Sequence, residues 1–454
     1  MTPTGWLVWL VITLPQAPAE EPLVTEAETS AAPEGWKVTD FMPHQPPPLP
    51  RGEPIGQPEC VRQIDLGDFG AWVARYGDLD GDGEADVLFV QTKGQQITCL
   101  TALNLRGEQL WQVGTPHAER FKISSDAAVQ IYDQDGDGQN EVLYVDGLTL
   151  RLLDGRTGRV EREGEVAAND CLLIANFSGG ERPQDLVVKD RYKHLWVYDA
   201  DFRLRWEAAT NTGHYPLNLD FDGDGRDELL CGYTLFDDDG TVLWEHPELP
   251  VHNDAVDADD MDGDGVPEIA IACSRDSVLL TAQGEILWRQ PHRHSQHAVI
   301  GAFVPDRPGK QVVFVDRGQG GVVFCYTKEG TELWHTRPQG WLTIVSTVEG
   351  WTGEECSYLL LFRRSVGPPV LVNGRGEQVA EFPFPPAQKE NGWDQQYYVQ
   401  HFDAFGDARE EIFVHNERAL WVYTNAAPEP DLPVPTRREP EVRLYNATFY
   451  IGRP

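Results

Sequence analysis

Asp260-Met261-Asp262-Gly263-Asp264-Gly265-Val266-Pro267-Glu268, running into Ile269-Ala270-Ile271-Ala272, decides how the rest of the chain reads. Carboxylates stand at positions 1, 3, 5 and 9 of the nonapeptide and glycines at positions 4 and 6. Alternating oxygen donors on a tightly curled backbone suit a hard cation such as Ca2+, and glycine supplies the φ > 0 conformations of the curl. The pattern returns at Asp78–Asp86, Asp133–Glu141 and Asp220–Glu228, each copy leading into an apolar, strand-like segment. The candidate metal ligands are therefore Asp78, Asp80, Asp82 and Asp86; Asp133, Asp135, Asp137 and Glu141; Asp220, Asp222, Asp224 and Glu228; and Asp260, Asp262, Asp264 and Glu268. An EF-hand starts with the same spacing but needs an acid at position 12 and flanking helices. Position 12 here is Phe89, Tyr144, Cys231 or Ile271, and the flanks are β-branched and aromatic, so the loops join strands.

Around the loops the chain is repetitive. The unit at 252–290 reads as four short strands: Ala255–Asp259, Glu268–Cys273, Ser277–Thr281 and a last one, Gly284-Glu285-Ile286-Leu287-Trp288. That glycine-to-tryptophan ending recurs at Gly107–Trp111, Arg203–Trp206, Gly240–Trp244 and Gly330–Trp334. Degenerate loops begin near 176, 303, 349 and 402. Long helical periodicity is missing, and units of about 40–55 residues with four strands each are propeller blades. The expected fold is an all-β β-propeller of eight blades, with seven as the alternative because the unit near 349 is faint, and with calcium-loop hairpins in several blades. The last unit shows three strands before the Pro-rich Ala426–Pro440, so ring closure is expected to borrow an outer strand from Val61–Leu66.

A formal charge of −36 over 454 residues argues against nucleic acid and anionic membranes as partners. The apolar run Trp6–Leu14 followed by Ala17-Pro18-Ala19 reads as a signal peptide at 1–19, too short to span a bilayer, which implies a secreted or periplasmic protein. Residues 20–58 form a Pro/Glu-rich linker, 59–425 the propeller, and 426–454 a Pro-rich tail with a C-terminal strand. Seven cysteines without a CxxC pair read as small buried residues, with one bridge involving Cys60 left open.

Aspartate-rich hairpin loops in a propeller resemble the FG-GAP/VCBS repeats. Three segments are similar to family 11 polysaccharide lyases, the rhamnogalacturonan lyases: His252-Asn253-Asp254-Ala255 to their H-G-D-A, Gly406-Asp407-Ala408-Arg409-Glu410-Glu411 to their G-D-W-R-E-E, and Arg443–Tyr450 to their tyrosine- and asparagine-rich ending. The family's N-terminal β-sandwich has no counterpart, and Ala408 replaces its tryptophan. The resemblance implies cleavage of an acidic polysaccharide by β-elimination and structural Ca2+ in several loops.

Residues opening each innermost strand ring the mouth of a propeller's channel. Here they include Trp72, Asp126, Asn169, Asp170, His214, Tyr215, His252, Asp254, His294, His297, Trp341, Tyr397 and Tyr398. Elimination from a uronate needs a neutralised carboxylate, a base for the adjacent proton and an acid for the departing oxygen. His214 with Tyr215 or His252 is the candidate proton-transfer pair. Arg409, or a cation held near Asp254, is the candidate neutraliser. His297, Trp72, Trp341, Tyr397, Lys189 and Arg191 are candidate substrate contacts. The expected partner is an acidic polysaccharide or other carbohydrate, the expected state a monomer. The alternative function is a non-catalytic propeller that binds carbohydrate or protein. A quinone-cofactor dehydrogenase, which shares the tryptophan-ending strand, is disfavoured by the aspartate loops.

Overall fold

Each acidic nonapeptide joins the first and second strands of one sheet. In the unit that decides the reading, Asn253–Asp259, Glu268–Cys273, Asp276–Thr281 and Ile286–Pro291 pair in that order, all antiparallel. The structure, a computed structural model, describes residues 49–428 apart from 95, 117–120, 123–126, 250, 339–342, 353–355, 364–366, 386–396 and 408, and leaves the side chains of 121–122 undescribed. Within it are eight such sheets, which makes an eight-bladed β-propeller. We number the blades in chain order, so that blade 5 is the sheet just given.

First strands of neighbouring blades pack on one another, as Val73–Gly77 does on Val129–Tyr132 and Asn253–Asp259 on Ser295–Gly301, so they line the central axis. Sequence pattern follows position. Glu268–Cys273 lies between neighbouring strands and neighbouring blades and is buried at every residue, whereas the outer strand Ile286–Pro291 alternates half-buried and exposed.

The glycine-to-tryptophan signature works as a staple between blades. Trp111, Trp206, Trp244, Trp288 and Trp334 each donate the indole N–H to a turn carbonyl of the next blade: Gly155, Asp238, Ala282, Lys328 and Gly374, at 2.6–2.9 Å. The ring then lies against the glycine that opens the next blade's outer strand. A Cβ on Gly330 would come within 2.9 Å of the Trp288 indole, and this glycine also holds φ +80°. Replacing Trp288 with alanine removes a half-buried ring and a hydrogen bond. Trp288→Ala is expected to cost about 2–3 kcal/mol in denaturant unfolding. An unchanged midpoint would show that the staple carries no stability.

Blade 8 closes the ring as the sequence implied. Its three C-terminal strands, Tyr398–Phe402, Glu411–His415 and Ala419–Asn425, accept Pro58–Asp65 as the outer strand, antiparallel to Ala419–Asn425. The end of the Pro-rich linker has a docking place on blade 7. Gln378 N–H donates to Pro50 O, and the N–H groups of Gly52 and Ile55 donate to Gln378 and Val379 carbonyls of blade 7's outer strand. An open strand edge offers unpaired backbone groups, and this segment covers them.

Blade 7 is faint in sequence because a tryptophan replaces its acidic loop. Trp351 is fully buried, edge-on to Phe382, and donates to Ile55 O at 3.4 Å. All seven cysteines are free, five of them buried, so the possible bridge at Cys60 is not formed. Among the described residues no helix is long and apolar enough to cross a membrane. The signal-peptide segment and the C-terminal tail lie outside the described residues.

Candidate functional site

The acidic loops lie at one end of the first strands and the histidine cluster at the other, because both belong to the same strands. In blade 5 the seven residues from Asn253 to Asp259 separate them, about 20 Å of extended chain.

The four intact loops share one geometry. The position-1 aspartate receives the N–H groups of both glycines: Asp260 from Gly263 at 2.7 Å and Gly265 at 2.8 Å, with Asp78, Asp133 and Asp220 doing the same. The position-9 acid accepts the N–H of position 2 (Leu79, Gln134, Phe221 and Met261), which clamps the loop onto the second strand. Carboxylate oxygens at positions 1, 3 and 9 lie within 4.8 Å of one another in every copy, so Asp78, Asp80 and Asp86, and their three counterparts, could hold a metal ion. Position 5 differs from the expectation. Asp82, Asp137, Asp224 and Asp264 each accept the N–H two residues on, as turn caps, and do not join the converging groups. Burial, and then the loop's own aspartates, push the Asp86 carboxyl up to about 6 and those of Glu141 and Glu228 up to about 7.

At the opposite end, His214 precedes blade 4's first strand, His252 and Asp254 open that of blade 5, and His294 precedes that of blade 6. The segments meet because Gly213 carries no side chain. Its Cβ would fall 1.3 Å from Asn253 Oδ1, and its neighbour His214 donates its N–H to Asn253 O at 3.2 Å. Asp254, 2% exposed, is the hub. Its Oδ1 lies 3.7 Å from Nε2 of His214, 3.7 Å from Nε2 of His252 and 3.6 Å from Nε2 of His294. Gln296 donates to the same oxygen at 2.9 Å, and Arg317 fixes Gln296 at 3.1 Å. Burial alone would raise this carboxyl, but His252 and His294 outweigh it and hold Asp254 well below the usual carboxylate range. Burial, then the Arg191 charge, keeps His214 far below the ordinary histidine value, so it is a neutral imidazole. His214, His252 and Asp254 present ligand atoms within 4.8 Å of one another.

Blade 3 supplies the wall. Lys189, fully buried, donates to Asp170 at 2.5 Å and to Gly213 O at 3.2 Å, and Arg191 reaches Asp170 at 3.4 Å. Those two cations, set against the cost of burial, hold the Asp170 carboxyl below its ordinary value. Next comes Tyr192, a non-glycine residue at φ +78°, whose N–H donates to Thr212 Oγ1. Its hydroxyl sits 3.1 Å from His214 Nε2, and its ring stacks on His252 at 4.7 Å. A left-handed tyrosine costs about 1 kcal/mol or more, and residues held this way concentrate at functional sites.

The structure thus brings together His214, His252, Asp254, Lys189 and Arg191, and adds Tyr192, His294 and Gln296. Two candidates do not join the cluster. The Tyr215 hydroxyl bonds Leu172 O and Gln130 at 3.1 Å each, in the packing between blades 2 and 3, so its ring leaves the bend before Leu217–Leu219 away from the His214 cluster. Arg409 lies on the acidic-loop side, in the loop before Glu411–His415, and donates to the carbonyls of Asn425, Ala427 and Pro428, where it ties down the end of the last strand. Tyr397 is buried, donates to Gly367 O at 2.8 Å and packs on Phe384, so it serves the core. His297 is buried within blade 6's first strand. Trp72 is half-buried beside Tyr398 and donates to Glu417 at 3.3 Å, at the junction of blades 8 and 1. Trp341 and Asp126 lie outside the described residues. Tyr192 was missed because its segment was read for the basic side chains of Lys189 and Arg191. The turns between second and third strands share that end, and Asp190-Arg191-Tyr192-Lys193 is such a turn.

No protein-family model matches the chain. The rhamnogalacturonan exolyase YesX of Bacillus subtilis (strain 168) is 25% identical over 438 residues, spanning 77% of this chain and 70% of that protein. Among solved structures, rhamnogalacturonan lyase YesW superposes with a TM-score of 0.63 at 18% identity, covering 90% of this chain and 80% of that one. The V. cholerae biofilm matrix protein Bap1 superposes at 0.58 with 14% identity, covering 85% and 92%. The molecule is an eight-bladed propeller whose solved neighbours include rhamnogalacturonan lyases.

Proposed function

We propose that the protein is an exported polysaccharide lyase that cleaves a rhamnogalacturonan-type uronate polymer by β-elimination at the Asp254 cluster. The observation that supports this most is the convergence, on one buried carboxylate, of three imidazoles beside a tyrosine hydroxyl and an arginine. Asp254 and His252 present ligand atoms within 4.8 Å of one another and could hold a divalent cation, and a cation bound there would neutralise the substrate carboxylate and acidify the neighbouring C–H. An imidazole and a carboxylate suit a borderline metal ion at least as well as Ca2+, whereas the all-oxygen loops suit Ca2+.

The chain's own groups do the rest. Arg191, half-buried above Asp170, pairs with the uronate carboxylate. The neutral His214 Nε2 accepts the Tyr192 hydroxyl proton, and the phenolate oxygen takes the proton from C5. The C5–H electron pair forms the C4–C5 double bond as the C4–O4 bond breaks, and the regained phenol proton goes to O4. Tyr192 thereby replaces Tyr215 in the proton-transfer pair, and Arg191 replaces Arg409 as the fixed neutraliser.

The test is ultraviolet absorbance of unsaturated uronide on mixing the protein with rhamnogalacturonan. Absorbance should grow with divalent cation present and stop in chelator. If several uronate polymers all fail to give it, the lyase reading is wrong, and binding without cleavage would place the protein among non-catalytic carbohydrate-binding propellers.

A further inference from the structure

The four acidic loops share a sequence but not a surrounding. In blades 1, 4 and 5 the tryptophan staple fixes one residue of the turn between the third and outer strands of the following blade. Over the blade 1 loop the stapled residue is Gly155, packed against Leu79. Over the blade 4 loop it is Ala282. Over the blade 5 loop it is Lys328, whose carbonyl is held by Trp288 at 2.8 Å. Neither glycine nor alanine can reach into the carboxylates beneath; lysine does. Lys328 Nζ lies 2.5 Å from Asp262 Oδ2 and 2.7 Å from Glu268 Oε1. Those are positions 3 and 9, two of the three carboxylates that would hold an ion in this loop.

We propose that the Lys328 ammonium is a built-in substitute for the divalent cation of the blade 5 loop, so that this hairpin keeps its shape without metal while the loops of blades 1 and 4 take a divalent ion. The space is contested on both size and charge. A cation such as Ca2+ would need oxygens at about 2.3–2.6 Å from the point where the ammonium sits, and would have to displace a positive charge fixed by a stapled backbone. Glu268 is almost wholly buried in this arrangement, 6% exposed at its side chain, and the lysine neutralises a carboxylate whose other oxygen accepts the Met261 N–H. Blade 2, which has no stapling tryptophan in its outer strand Val160–Glu165, is countered from another direction: Arg182 bonds Asp133 Oδ2 at 2.7 Å and also the Asp133 carbonyl. The contrast between Ala282 and Lys328 at equivalent stapled positions carries the inference.

This rests on the proposal that open acidic loops bind a divalent cation, and the experiment keeps the two apart. Ca2+ stoichiometry would be measured by calorimetric titration of the metal-free full chain for wild type, Lys328→Gln and Ala282→Lys. Lys328→Gln should bind one more equivalent than wild type, melt lower than wild type in chelator and recover when Ca2+ is added. Ala282→Lys should bind one fewer. If wild type binds Ca2+ but Lys328→Gln gains no equivalent, or melts in chelator as wild type does, the substitution idea is overturned while cation binding stands. If none of the three binds Ca2+, the cation reading of the loops falls and this inference falls with it.

Discussion

Asp254→Asn should lower eliminative cleavage of rhamnogalacturonan by about a thousand-fold while leaving the melting temperature near that of wild type. The asparagine keeps the size of the hub and a carbonyl oxygen for the Gln296 amide, which now donates at 2.9 Å. What it removes is the charge. Without that charge a cation loses its anionic ligand beside His252, and the substrate carboxylate meets an uncompensated site. Activity would be read as the rate of unsaturated uronide release at saturating polymer, and folding by thermal unfolding of the same sample. A variant that folds and cleaves within about ten-fold of wild type would remove Asp254 from the chemistry, since loss of a transition-state electrostatic contact costs more than that.

The second large effect is on stability. Chelation should lower the melting temperature by several degrees, because a ligand at a hundred times its dissociation constant stabilises the fold by about 2.7 kcal/mol per site, and among the described residues the converging carboxylates of the blade 1 and blade 4 loops make no ion pair. The metal-free protein should also be pH-sensitive in a defined direction. Asp86, Glu141 and Glu228 have carboxyls raised on folding, to about 6 for the first and about 7 for the others. An acid whose folded value is raised contributes stability that is fully present below its unfolded value and is lost as pH rises through the folded one. Melting temperature in chelator should therefore fall between about pH 6.5, above which the buried His214, His292 and His415 are neutral folded or unfolded, and about pH 8, and Ca2+ should restore it most at the upper end, where the ligands are ionised. A melting temperature that is flat across this range, with or without Ca2+, would show that the loops are self-sufficient turns.

The fold was legible because its grammar is local. Loop, following strand and tryptophan lie within one unit, and both partners of the Trp288 staple follow from a repeat of about 40 residues. Blade 7 was hard to see for a reason equally local: a buried Trp351 does by hydrophobic packing what carboxylates do elsewhere. The site was legible only in part. His214, His252 and Asp254 sit at strand starts, and register alone carried them to one end of the ring. Which way a ring points was not legible. Tyr215 follows His214 directly, yet its hydroxyl ends between blades 2 and 3, and the phenol beside His214 comes from Tyr192, a turn residue one blade earlier. Arg409 misled because a similar motif fixed its identity but not its end of the ring, and a loop between first and second strands faces away from the mouth.

The mass of the products tests the central claim most directly. Incubation of the wild-type protein with rhamnogalacturonan should release fragments whose new uronate end is lighter by one water than the hydrolysis product, the signature of a C4–C5 double bond. Fragments at the hydrolytic mass, or an intact polymer that the protein binds without cutting, would contradict a lyase built on Asp254, His214 and Tyr192.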